Sequence, residues 1–282
     1  MPHAMVNGVE LFYESWGQGI PLVFVHEWGG DARSWDPQVR FFSRRYRTVT
    51  FSARGYPPSA VPTDLSLYSQ AQAVNDIRGI LDLLQLPTAH ICGLSMGAYA
   101  TLMFGLAHPD RALSLTVAGG GYGSGADRAR FHQDSAAMAE RLIREGMAAV
   151  AATYARGATR LQLLRKDPQG WQEFHDRLAA GSATGRALTL RGVQLARPSV
   201  FDLGPQLEAL QTPVLVLVGD EDEPAVEPSL FMKRKIPGAG LVVFPNSGHT
   251  INLEEPDLFN RTLLDFLATV DAGRWPRRGM GS

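Results

Sequence analysis

Ser95 lies in Gly93-Leu-Ser-Met-Gly97, a Gly-x-Ser-x-Gly pentapeptide between a strand-like run at 89–92 and a helix-like run of small residues at 97–107. A serine on so tight a strand-to-helix turn takes a strained backbone, and glycines two residues to either side make room for it. Its hydroxyl is a weak nucleophile at neutral pH, so it needs a base to take its proton and an acid to orient that base. Both residue types follow downstream. The run 213–222, PVLVLVGDED, reads as a buried strand opening into an acidic loop, and 244–249, FPNSGH, as a strand running into a loop that ends at His249. Of the other histidines, His90 falls inside a strand pattern and His108 precedes Pro109 at a helix end. His3, His132 and His175 have no motif around them, and all five are expected to be structural or solvated.

A second stretch raises a separate chemistry. In 23–30, VFVHEWGG, His26-Glu27 could open a zinc-binding helix or close a strand. The zinc motif needs a second histidine one helical turn on, so that both imidazoles face one metal. Position 30 is Gly30, which removes that reading. A β-branched and aromatic run followed by paired glycines reads instead as a buried strand entering a loop.

The elements that must carry these residues alternate along the chain. Asn7-Gly8 and the segment 17–21 read as turns around short strands leading to the strand that ends at His26. Trp35, Val39 and Phe42 stand at i, i+4 and i+7 of a helix predicted over 31–45, with Asp31 as its cap. A strand at 48–52 follows, then a helix from 68 to Pro87 with Val74, Ile77, Leu81 and Leu84 on one face, then the strand entering Ser95. Runs at 113–118, 214–218 and 241–244 continue the strands, and 253–266 reads as a closing helix. Strands alternating with helices predict a mostly parallel sheet covered on both faces. Between 118 and 214 the rhythm breaks: Met138, Leu142, Tyr154, Trp171, Phe174 and Leu178 lie in helix-like surroundings, read as a helical cap over the sheet or as extra core helices. The division expected is a core of 1–120 and 206–272, a cap of 121–205, and a loosely docked or frayed tail at 273–282.

Composition narrows the classes. With 282 residues, 45% apolar and 20% charged, the chain can bury one sizeable core. Lys plus Arg at 27 nearly cancels Asp plus Glu at 28, so no field for a nucleic acid or other polyanion is implied. The single cysteine, Cys92, cannot form an internal disulfide, and MPHAMVNGVE lacks a signal-peptide pattern, so a cytoplasmic protein is expected. No apolar run approaches the roughly 20 residues of a membrane span.

The order Ser95, Asp222, His249 and the strand contexts of all three resemble the α/β-hydrolases, over nearly the whole chain and least between 121 and 211. That resemblance implies an α/β-hydrolase fold, an eight-stranded, mostly parallel sheet flanked by helices with a helical cap. It implies Ser95 as nucleophile, His249 as general base and Asp222 as orienting acid, since the family's acid ends a Gly-x-x-Asp matching Gly219-Asp220-Glu221-Asp222. Asp220 is the competing acid, and Glu221 and Glu223 read as solvated. The oxyanion donors implied are the backbone N–H groups of Met96 and Trp28, with His26 bracing the loop. A serine nucleophile excludes the haloalkane dehalogenase and epoxide hydrolase branches, which carry aspartate there. The activity implied is cleavage of a small carboxylic ester or lactone through an acyl-enzyme, with no metal and no organic cofactor. Enol-lactonases and cofactor-free haloperoxidases or perhydrolases look alike at this level, as do thioesterases and carbon–carbon bond hydrolases, and a ligand receptor on the same fold is the rival from another class.

Two positions depart from the pattern. Glu27 stands where the family has glycine, and Ser52-Ala-Arg54-Gly55 keeps the family's arginine while losing its carboxylate. One expectation joins them, with Glu27 supplying the carboxylate to Arg54 across adjacent strand ends. Two others place Glu27 in the pocket, where its charge would oppose an oxyanion unless neutralised, or in solvent.

Overall fold

The apolar runs become neighbours in one eight-stranded sheet in the computed structural model, which describes residues 2–277. The strands are β1 (His3–Val6), β2 (Val9–Trp16), β3 (Pro21–Val25), β4 (Arg47–Phe51), β5 (Ala89–Leu94), β6 (Ala112–Ala118), β7 (Val214–Gly219) and β8 (Ala239–Phe244). Their order is β1-β2-β4-β3-β5-β6-β7-β8, antiparallel at β1-β2 and β2-β4 and parallel elsewhere. Asn7 and Gly8, at φ 48° and 76°, form the tight turn between β1 and β2.

Alternation along the central strands sorts side chains to two faces. Val23, Val25, Ile91, Val117, Val214 and Val216 pack with helices α2 (Gln70–Leu83), α3 (Met96–Ala107) and α9 (Glu223–Lys235). Leu22, Phe24, Cys92, Leu94, Leu215 and Leu217 pack with α1 (Asp36–Phe42) and α11 (Pro256–Asp271). Every residue of β5 and β7 is buried, as a parallel sheet covered on both sides requires. In α11 the fully buried face of Phe259, Leu263, Phe266 and Leu267 contributes about 2 kcal/mol per side chain, more than any propensity difference along that segment.

Three predicted elements differ. The helix expected over 31–45 is a 3₁₀ turn, Ala32–Trp35, followed by α1. Asp31 caps the 3₁₀ turn, and Pro37, which has no N–H to donate, starts the next helix afresh. The closing helix is divided for the same reason: α10 (Ile251–Glu254) stops and Pro256 opens α11. In the tail, Trp275 is docked, its ring edge-on to Phe266 at 4.6 Å and its indole N–H on the Gly238 carbonyl at 2.7 Å. The rest of the expected tail, 278–282, lies outside the described residues.

Between β6 and β7 the described residues form helices and turns only. They comprise α4 (Arg128–Tyr154), interrupted at Gly146 with φ 82°, α5 (Leu161–Lys166), α6 (Pro168–Ala179), α7 (Ala183–Thr189) and α8 (Gly204–Ala209). Leu142, Met147, Val150, Leu163, Trp171, Phe174 and Leu178 form a cluster that also takes in Trp28, Tyr56 and Met96 from the sheet's loops. This helical layer therefore shares its apolar core with the strand ends beneath it.

Candidate active site

Ser95 occupies the turn between β5 and α3 at φ 57° and ψ −112°. The fold holds this strain by close approaches that only glycine allows. A Cβ on Gly93 would lie 2.2 Å from the Gly97 carbonyl oxygen, and one on Gly97 would lie 2.1 Å from that of Val25. The Ser95 N–H donates to Ala118 on β6 at 2.8 Å, which pins the turn to the neighbouring strand.

Asp222 and His249 come from the loops after β7 and β8. Both are buried, and His249 Nδ1 lies 2.8 Å from Asp222 Oδ2. A carboxylate only accepts, so Nδ1 carries the hydrogen and Nε2 is left as the proton acceptor. The competing acid is engaged elsewhere: Asp220 Oδ1 accepts the Ser247 N–H at 3.1 Å. Glu221 is exposed and accepts from the Gln162 amide at 2.6 Å. Ser95 and His249 line one cavity of about 160 Å³ with Trp28, Tyr122, Phe131, Met138, Tyr154, Leu190 and Gln194, and with Asp134 and Ser135. Of the apolar residues in the helical layer, Met138 and Tyr154 line it, whereas Met147, Trp171 and Phe174 are buried in that layer's own packing.

Tyr122 was not marked in the sequence. Its hydroxyl donates to Asp222 Oδ1, and its ring lies 4.6 Å from that of His249. Burial, then the charge of Asp222, pushes its phenol well above the usual range, so it stays protonated and donates. The signal available was the run Gly119-Gly-Gly-Tyr-Gly123 at a strand end, three of whose glycines have positive φ. Gly119 needs its lack of side chain here: a Cβ would stand 3.3 Å from both Asp222 Oδ2 and the His249 ring.

Trp28, in the loop after β3, lines the cavity, and Met96 follows Ser95 at the first position of α3, where a helix leaves its N–H groups unpaired within the helix. His26 is buried between two backbone groups: Nε2 accepts from the Ala53 N–H at 3.0 Å and Nδ1 donates to the Glu27 carbonyl at 2.7 Å. Burial lowers its pKa to about 4, so it is a neutral brace between the β3 and β4 loops. The Trp28 indole is held in turn, its N–H donating to the Arg186 carbonyl at 3.3 Å.

The proposed union of Glu27 with Arg54 is not present. Arg54 forms a two-point ion pair with Asp76 on α2, at 2.7 and 2.8 Å. Glu27 is buried and takes both terminal nitrogens of Arg160, from the cap, at 3.0 and 2.5 Å. Burial, the largest single influence, would raise the Glu27 carboxyl, but the charge and hydrogen bonds of Arg160 together with the neighbouring His249 and Arg186 hold the group below its usual range. The solvent reading fails with the Arg54 reading, and the two anomalies have separate partners. The remaining histidines are occupied elsewhere: His90, for example, lies between Ser114 Oγ at 2.8 Å and Asp271 at 2.9 Å.

A serine on a strained β5–α3 turn, with an Asp–His pair delivered by the last two strands of a mostly parallel sheet, defines a hydrolase-type site on a doubly covered α/β sheet. The model of the alpha/beta hydrolase family matches residues 22–262, and the chain belongs to that family. It is 28% identical over 258 residues to 3-oxoadipate enol-lactonase 2 of Acinetobacter baylyi, covering 90% of this chain and 92% of that one. At the same identity over 279 residues, it is similar to 2-hydroxy-6-oxononadienedioate/2-hydroxy-6-oxononatrienedioate hydrolase 2 of Pseudomonas putida, covering 92% of each chain. Among solved structures, the enol-lactonase from Burkholderia xenovorans LB400 superposes with a TM-score of 0.83 at 27% identity, over 95% of this chain and all of that one.

Proposed function

We propose that this chain is a serine hydrolase that cleaves a small carboxylic ester or lactone through an acyl-enzyme. The observation that carries the reading is the His249–Asp222 hydrogen bond set across one cavity from the strained Ser95. Ser95 Oγ attacks the substrate carbonyl while His249 Nε2 takes its proton. Asp222 fixes the tautomer and offsets the charge of the imidazolium. The tetrahedral oxyanion receives the backbone N–H groups of Met96 and Trp28. Collapse expels the alcohol, or opens the lactone ring, with the proton returned by His249. Water, deprotonated by the same imidazole, then releases the acid and restores Ser95. Aromatic and aliphatic lining from Trp28, Tyr122, Phe131, Met138, Tyr154 and Leu190 favours a substrate with an apolar or aromatic group.

A second reading, hydrolysis of a carbon–carbon bond α to a carbonyl on the same three residues, is favoured by the equal identity to the Pseudomonas putida hydrolase. A panel of short-chain, long-chain and aryl esters, lactones and a β-diketone separates the two. Fastest turnover on short or aryl esters or a lactone supports the first reading, and fastest turnover on the diketone replaces it with the second. Tight binding of the panel with no turnover would make the chain a receptor.

A further inference from the structure

Glu27 stands one residue before Trp28, and a lone carboxylate at that point would repel the oxyanion that Trp28 is to bind. Its partner Arg160 is itself buried, at 3% exposure, and donates a further hydrogen bond to the Tyr154 hydroxyl at 2.7 Å. The guanidinium also lies 5.0 Å from the Tyr154 ring and 5.4 Å from that of Phe174, and Tyr154 in turn packs on Trp28 at 4.9 Å. The residue before it, Thr159, accepts the His249 N–H on its carbonyl at 2.9 Å. Gly248 meets the same carbonyl so closely that a Cβ there would lie 2.4 Å from it. One cap dipeptide thus touches both loops on which the reaction depends.

We propose that Thr159-Arg160 positions the two catalytic loops from the cap, with Arg160 holding Glu27, and through it the Trp28 N–H, in place while cancelling the carboxylate charge. The inference rests on the serine hydrolase reading. Arg160 is a positioning residue: it acts on the oxyanion through Glu27 and Trp28. Its loss should therefore weaken the transition state more than the bound ester. An oriented bidentate pair of planar groups fixes geometry as well as charge, which explains an arginine here in place of a lysine.

The test compares wild type, Glu27→Gln, Arg160→Met and the double variant on 4-nitrophenyl butyrate, each below its own unfolding midpoint, with phenylboronic acid as the transition-state mimic. Arg160→Met leaves a buried, uncompensated carboxylate beside a loosened loop, and a small misplacement is enough to lower kcat by about 100-fold. KM should stay within about threefold, and the boronate should weaken in step with kcat. Removing the charge as well, in the double variant, should restore kcat to about tenfold below wild type, a strongly non-additive cycle. Should Arg160→Met not fold, the double variant decides, because replacing both members of a buried pair is tolerated far better than stranding one. A kcat for folded Arg160→Met or the double variant within about threefold of wild type, or equal losses in kcat and KM, overturns the inference. Ser95→Ala separates the causes. Turnover that survives it sinks the serine reading and this inference together, and Ser95-dependent turnover indifferent to Arg160 sinks this inference alone.

Discussion

Ser95→Ala is expected to lower kcat for any accepted ester by roughly 10⁴ to 10⁶-fold while leaving the unfolding midpoint within a few degrees of wild type. On the proposed mechanism, the large kinetic effect follows from losing the atom that would form the acyl-enzyme while binding and the oxyanion donors persist. The small stability effect follows from geometry. Ser95 is the N-cap position of α3 but makes no side-chain cap bond, so the methyl group loses no cap. Its backbone keeps the same φ of 57° with alanine, so the strain is neither relieved nor added. Progress curves with 4-nitrophenyl butyrate, read beside a thermal melt, check both halves. Wild-type turnover by the variant would remove Ser95 from the chemistry.

Asp222→Asn carries the second large effect, a fall in kcat of about 10⁴-fold. An amide in place of the carboxylate can present its NH₂ to His249 Nδ1, which turns the imidazole to the tautomer with Nε2 protonated and unable to accept from Ser95. The Tyr122 hydroxyl can still donate to the amide oxygen, so the loop has a route to remain satisfied. Asp220→Asn supplies the contrast. The Asp220 side chain accepts the Ser247 N–H of the His249 loop, and the variant's kcat should remain within about threefold of wild type, a change too small to be a lost triad member. Reversed outcomes for the two variants would move the orienting acid to Asp220.

The site was legible in the sequence to the extent that backbone geometry demands particular residues. Gly93 and Gly97 must be glycine because carbonyls fill the space a side chain would take, so the pentapeptide marks a structural necessity as well as the proposed nucleophile. His249 and Asp222 follow buried strands whose unbroken apolar runs fix where each loop begins. The partners of Glu27 and Arg54 were not legible, because ion pairs leave no periodicity. Arg160 is 133 residues from Glu27, in a layer whose helices could be recognised but not docked. Asp76 lies on the buried side of α2 among the apolar residues that define that helix, and nothing in their spacing points to a charged partner. Tyr122 escaped for a related reason: its hydroxyl acts on Asp222 across 100 residues. Helix ends were misjudged where a proline restarts the backbone, at Pro37 and Pro256, since an apolar stripe continues through a break that the hydrogen-bond ladder does not.

Those separate partners also change the picture of the oxyanion loop. The loop after β3 is braced from two sides, by neutral His26 against the β4 loop and by Arg160 from the helical layer, so that layer and this loop are joined beside Trp28. A cap that moved as an independent lid would have to part a buried two-point ion pair.

The central claim, that Ser95 is an activated nucleophile served by His249, is tested most directly by intact-mass analysis and peptide mapping after brief exposure to a fluorophosphonate. One adduct per chain, confined to the peptide that holds Ser95 and abolished by His249→Ala, is the result expected. No adduct, or one on another residue with Ser95 left unmodified, would contradict it.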